Sequence, residues 1–143
     1  MNTIQQISVF VENKQGSLTA ITNALTENNI DMRALNLADT SDFGILRLIV
    51  NQPEEACKVI QNAGYIVTMT PVVGAAVSDV PGGLAKAMDA IVNAGLNIEY
   101  MYAFVNRIPN CANVIFRTDD NERCIAALQA AGVEVVPDTE IYA

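Results

Sequence analysis

Apolar residues alternate with polar ones at Ile7, Val9 and Val11, and the period then lengthens to that of a helix at Leu18, Ile21 and Leu25. This predicts a strand followed by a helix. The stretch NID (Asn29 to Asp31) opens a second strand that runs through Leu37, and the polar DTSD (Asp39 to Asp42) marks a turn. GILRLIV (Gly44 to Val50) is short and β-branched enough to be a third strand. Pro53 suits the first turn of a second helix, whose apolar positions Ala56, Val59, Ile60 and Ala63 stop at Gly64, a residue favoured just past a helix end. A fourth strand runs from Tyr65 toward Thr70.

The same order then returns. ENKQGSL (Glu12 to Leu18) lies over SDVPGGL (Ser78 to Leu84), an offset of 66 from Gly16 to Gly82. ACKVIQNAGYIV (Ala56 to Val67) lies over CIAALQAAGVEV (Cys124 to Val135), an offset of 68 from Gly64 to Gly132. Two extra residues are therefore expected around Asn106 to Asn110, where a loop tolerates insertion. The second copy predicts a helix over Leu84 to Ala94, strands over Leu96 to Val105 and Cys111 to Arg117, a helix over Glu122 to Ala131 and a strand over Val133 to Val136. TPVVGAAVSD (Thr70 to Asp79) holds no linker and reads as the end of one sheet and the start of the next.

Two units follow, residues 1–70 and 71–143. The order βαββαβ predicts for each a four-stranded antiparallel sheet with both helices on one face, the ferredoxin-like arrangement, and an α+β class for the whole. A unit of about 70 residues is small for a stable core, so its twin is expected to supply burial. In NIEYMYAFV (Asn97 to Val105), alternation sends Ile98, Tyr100, Tyr102 and Phe104 to one face and Met101, Ala103 and Val105 to the other. Two apolar faces predict a further interface, and hence a homodimer.

Charge and composition narrow the function. The 143 residues carry a net charge of −8, and the basic residues Lys14, Arg33, Arg47, Lys58, Lys86, Arg107, Arg117 and Arg123 are scattered, which argues against nucleic acid or an anionic membrane. Histidine is absent, so a Ser-His-Asp or Cys-His nucleophile and any His-containing metal site are excluded. Cys57, Cys111 and Cys124 form no CxxC pair and suit buried, reduced thiols, with Cys124 packed in the core. The N-terminus lacks a leader pattern and no stretch approaches a membrane span, which together predict a cytoplasmic protein. Paired acids Glu54-Glu55 and Asp119-Asp120 fall at predicted helix starts, where they favour the helix dipole, a better account of them than catalysis. No enzyme, cofactor or metal site is expected.

The candidate chemistry lies at the strand-to-helix turns. Such a turn leaves the first helical N–H groups unpaired, and with the helix dipole they favour an anion such as a carboxylate. Gly16 and Gly82 let the backbone pass close to a ligand, Ser17 and Gly83 keep the approach clear, and Leu18 and Leu84 are expected to anchor each helix in the core. Asn13 and Asp79 are placed to brace the loop or to meet an ammonium group. Read from these residues alone, Gly is also a plain conformational need and Asn or Asp a plain cap.

The repeated pattern Asn/Asp-x-x-Gly-small-Leu, in VENKQGSLTAI (Val11 to Ile21) followed by NNID (Asn28 to Asp31) and again in DVPGGLAKAMDAIVNAGLNIEYM (Asp79 to Met101), resembles the ACT domain over nearly the whole chain. That family comprises amino-acid-sensing regulatory modules on enzymes such as phosphoglycerate dehydrogenase, aspartate kinase and the small subunit of acetolactate synthase. The resemblance implies two modules side by side in a continuous antiparallel sheet with a free amino acid bound at their seam. On that mapping Asn13, Gly16, Ser17 and Leu18 face Asn97, while Asp79, Gly82, Gly83 and Leu84 face Asp31. The neutral amides of Asn13 and Asn97 suit both ends of a zwitterion; Asp79 and Asp31 together repel a carboxylate. The resemblance thus implies a non-catalytic sensor signalling to a regulated enzyme. A detached regulatory subunit, or a dimerisation or adaptor module that binds nothing, is the competing expectation. Acylphosphatase shares the strand order, but its arginine-bearing phosphate loop is not evident here.

Overall fold

In the computed structural model, which describes residues 2–39, 42–105 and 109–143, the opening alternation becomes strand β1 (Ile4–Glu12), with Ile7, Val9 and Val11 buried. Helix α1 (Ser17–Glu27) follows, then β2 (Met32–Asp39), β3 (Phe43–Val50) and α2 (Pro53–Asn62), which has Pro53 in its first turn. Strand β4 (Ile66–Ser78) is 13 residues long and covers the whole junction between the two copies. The second copy supplies α3 (Gly83–Asn93), β5 (Ile98–Ala103), β6 (Cys111–Thr118), α4 (Asn121–Ala130) and β7 (Glu134–Val136), and α5 (Asp138–Tyr142) ends the chain. Thr40 and Ser41 of the expected turn, and Asn106 to Ile108 of the expected insertion, lie outside the described residues.

Two units emerge, one from Gln5–Thr70 with Ile141–Ala143, the other from Met1–Ile4 with Pro71–Glu140. In the first, strand order is β2-β3-β1-β4, with β3 antiparallel to both neighbours. Val9 stands opposite Leu46 and Ile7 opposite Leu48, so their side chains share one face. Ile21 and Leu25 of α1 and Ala56 and Ile60 of α2 close over that face, fully buried. Removing a side chain of the size of Ile21 or Leu25 from water contributes about 1.5–3 kcal/mol.

The other unit repeats the scheme with order β7-β4-β6-β5. Val73, Ala75 and Val77 of β4 pack with Val114 and Phe116 of β6 under Ala87 and Ile91 of α3 and Cys124 and Leu128 of α4. Both units therefore have the ferredoxin-like strand order, and the fold is α+β. β4 serves as the last strand of one unit and the first of the other. Cys124 is fully buried, as expected, whereas Cys57 and Cys111 are only half-buried.

One expected alternation fails. In β5 the register shifts between Ile98 and Tyr100, so Ile98 and Met101 both pack against the helix-side core, while Tyr102 is buried outside that core. A bulge puts one extra residue on this strand and flips the faces beyond it. Ile98 therefore does not share a face with Tyr100 and Tyr102.

Candidate ligand site at the glycine turns

Each copy turns from strand to helix through a glycine in the left-handed region, Gly16 with φ 88° and Gly82 with φ 87°. Neither α1 nor α3 has a side-chain cap or an acidic residue in its first turn. The amide of Ser17 donates to Lys14 O at 3.3 Å and that of Gly83 to Val80 O at 3.0 Å, so the first helical N–H is used within each turn. Bonds back to the glycine carbonyls come from Ala20 N at 3.1 Å and Lys86 N at 3.0 Å. The amides of Leu18 and Thr19, and of Leu84 and Ala85, fall in the first helical turn, where N–H groups lack intrahelical acceptors and the dipole favours an anion.

The two turns are not identical. A Cβ on Gly83 would lie 1.9 Å from Ser78 O, so glycine is obligatory there, whereas the matching Ser17 carries a side chain and is only 6% exposed. Leu18 and Leu84 do not anchor their helices: they are 37% and 38% exposed. α1 begins at Ser17, and its inward stripe is Ser17, Ile21 and Leu25 at four-residue spacing, which turns Leu18 to the flank. Both leucines sit beside the turn, where they are accessible to a ligand.

The polar candidates have main-chain duties repeated in both copies. Asn13 N donates to Asp42 O and Asp79 N to Asn110 O, both at 3.0 Å, which braces each turn. Asp31 N donates to Asn51 Oδ1 at 3.0 Å, and Asn97 N to Asp119 Oδ1 at 3.2 Å. The Asp31 carboxylate pairs with Arg33, whose guanidinium also donates to Ala143 O at 2.8 Å and Ile141 O at 3.3 Å. Asp31 is thus already matched by a cation, which weakens the carboxylate repulsion expected around it.

Asn13, Gly16, Ser17 and Leu18 cluster at the start of α1, and Asp79, Gly82, Gly83 and Leu84 at the start of α3. Asp31 and Asn97 lie past the far ends of these 11-residue helices. Within its own unit each is separated from the glycine turn by the helix length, about 16 Å. The carboxylate pairs have structural roles: Glu54 and Glu55 occupy the first turn of α2, and Asp120 caps α4 by accepting from Arg123 N at 3.1 Å.

Two hollows flank the first turn. A small one of about 50 Å³ is lined by Asn13, Leu18, Leu37, Asp39 and Gly44. A larger one of about 290 Å³ lies toward the start of β4 and is lined by Phe10, Glu12, Lys14, Ser17, Phe43 and Tyr65, among others. Sequence reasoning missed Phe10 on β1, Phe43 at the start of β3 and Tyr65 between α2 and β4, which come from three separate segments. The available signal was Phe10 itself, an aromatic at an outward position between Ser8 and Glu12. Among the described residues no group of three His, Cys, Asp or Glu is placed to hold a metal, and no helix is long and apolar enough to cross a membrane.

Residues 2–142 match the sequence pattern of a family described as ACT domain pair. No curated protein matches. Among solved structures, the chain is similar to protein BT0572 from Bacteroides thetaiotaomicron, with TM-score 0.91 and 40% identity over 99% of each chain. It is also similar to the ligand-free regulatory subunit of aspartate kinase from Thermus thermophilus, with TM-score 0.68 and 18% identity over 89% of this chain and 91% of that one. The corresponding subunit from Thermus flavus gives TM-score 0.63 and 18% identity over 90% and 92%. At that identity the two kinase subunits speak to the fold alone.

Proposed function

The chain belongs to the ACT domain pair family, and from this premise we propose that it is a non-catalytic regulatory protein that binds a free amino acid and signals its occupancy to a partner. The observation that carries this reading is the repeated turn: a left-handed glycine opens α1 and α3, and neither helix start is capped by a side chain. Such a start suits a carboxylate. In this reading one ligand place is formed by Asn13, Gly16, Ser17 and Leu18 with Asn97, and a second by Asp79, Gly82, Gly83 and Leu84 with Asp31. The neutral pair Asn13 and Asn97 makes the first the better zwitterion site.

About ten heavy atoms at roughly −0.5 to −0.8 kcal/mol each give a binding free energy of about −5 to −8 kcal/mol. That corresponds to dissociation constants from roughly millimolar to micromolar, the range of a metabolite sensor. Signalling follows by linkage, because a ligand that prefers one placement of the units favours a partner that prefers the same placement. The regulatory subunits of aspartate kinase share this fold and are covered over about nine-tenths of their length. In this reading the chain itself is a detached regulatory subunit and its partner an amino-acid biosynthetic enzyme, an arrangement with which that shared fold is compatible. The half-exposed Leu35 and Leu37 on strand β2, which among the described residues pairs only with β3, support self-association as a homodimer.

A thermal-shift screen of the twenty amino acids tests the reading. Stabilisation by one or a few is the expected result, and uniform silence favours the adaptor instead. For an amino acid held by Asn13 and Asn97, Asn97→Ala should weaken binding in calorimetry, and sedimentation at micromolar concentration should give a dimer.

A further inference from the structure

The larger hollow beside the first glycine turn has a composition that the turn motif does not require. Its walls are Phe10 on β1, Phe43 at the start of β3, Tyr65 after α2 and Ile66 at the start of β4. At its rim Lys14 Nζ stands 3.0 Å from Glu12 Oε2, both side chains largely exposed. Glu12 lies directly across the strand pair from Phe43, which fixes the charged rim next to the aromatic wall. An exposed ion pair contributes little to folding, so either partner is available to a competing charge at small cost.

The volume matches a small metabolite. A cavity of about 150 Å³ already admits a benzene ring. The 290 Å³ here leaves room for a ring together with a compact polar end. The second copy lacks these groups: at the matching offsets stand Ala76 for Phe10, Ser78 for Glu12, Val80 for Lys14, Cys111 for Phe43, Val133 for Tyr65 and Glu134 for Ile66. The duplicated turn therefore does not account for them.

We propose that this hollow binds a free amino acid with an aromatic side chain, the ring lying against Phe10, Phe43 and Tyr65 while its ammonium meets Glu12 and its carboxylate meets Lys14. Adjacent charges of opposite sign present the mirror pattern of a zwitterion, and the aromatic walls gain most from a flat apolar ring. This rests on the amino-acid-binding reading above but assigns a separate place, on the β4 side of the turn, and a ligand class.

Calorimetry on the full chain tests it with L-phenylalanine, glycine, phenethylamine and 3-phenylpropanoate. L-phenylalanine should bind, glycine should not bind in this hollow, and each single-charge analogue should bind about fivefold or more weaker. Phe43→Ala should weaken L-phenylalanine about tenfold, Lys14→Ala should weaken it as well, and Asn97→Ala should leave it unchanged. Phe10 and Phe43 are 47% and 58% exposed and outside the helix-side core, so their replacement keeps the fold, which a thermal melt verifies. Wild-type affinity in Phe43→Ala, or L-phenylalanine bound no better than glycine, overturns the proposal. If another amino acid binds and only Asn97→Ala removes it, this inference falls and the earlier reading stands. If no amino acid binds, both fall.

Discussion

Gly83 is the residue whose identity is most tightly dictated. Its missing side chain leaves room for Ser78 O, which a Cβ would meet at 1.9 Å, and that neighbour is backbone with no rotamer to change. Gly83→Ala should therefore destabilise the protein by about 2–3 kcal/mol in urea unfolding, whereas Ser17→Gly at the matching position should cost about 0.5–1 kcal/mol. Cys124 is a second constrained residue. Burial pushes its thiol up to about 11, against a smaller opposing pull from a hydrogen bond with Thr118. Well below pH 9 the thiol is protonated both folded and unfolded, so it adds no pH dependence there. Between about 9 and 11 the unfolded chain gives up the proton first, and stability falls as pH rises. The melting temperature of the wild type should accordingly drop more steeply over that window than that of Cys124→Val. At pH 8 iodoacetamide should leave Cys124 unmodified in the folded chain.

Elements were the most legible scale, because they depend on periods that run along the chain. Ile7, Val9 and Val11 announce β1, and the repeat places α3 and α4 by comparison with α1 and α2. What escaped depends on partners distant in sequence. The shift at Ile98 and Tyr100 exists only in the register of β5 against β6, so alternation alone gave the wrong face for Ile98. Leu18 was misread as core because a one-residue displacement of the helix start rotates the inward stripe by about 100°. The polar turn residues were recognised, but the aromatic hollow draws on four segments that no local pattern joins. Each copy also ties the start of its second strand to the loop before its second helix, through Asn51 Oδ1 in one and Asp119 Oδ1 in the other. Removing the acceptor leaves a main-chain amide without that partner. Asn51→Ala and Asp119→Ala should each cost about 0.5–1.5 kcal/mol by chemical denaturation.

At the scale of the whole molecule the decisive element is β4. Val67 packs against the core of one unit, and Val73, Ala75 and Val77, on the same uninterrupted strand, lie in the core of the other. Neither core can lose this strand without the other losing part of its lining, so the 143 residues should unfold together although their helix-side cores are distinct. The thiols report each core separately: Cys57 packs against the first and Cys124 lies within the second. In a urea series read by pulsed thiol labelling, the two cysteines should rise to the reactivity of the unfolded chain at the same midpoint. Well-separated midpoints would show that β4 does not couple the cores. An amino acid at a hundred times its dissociation constant adds about 2.7 kcal/mol to the folded state. If coupling holds, that ligand should move both midpoints upward by the same amount, including that of Cys124, even when it occupies only the hollow beside the first turn.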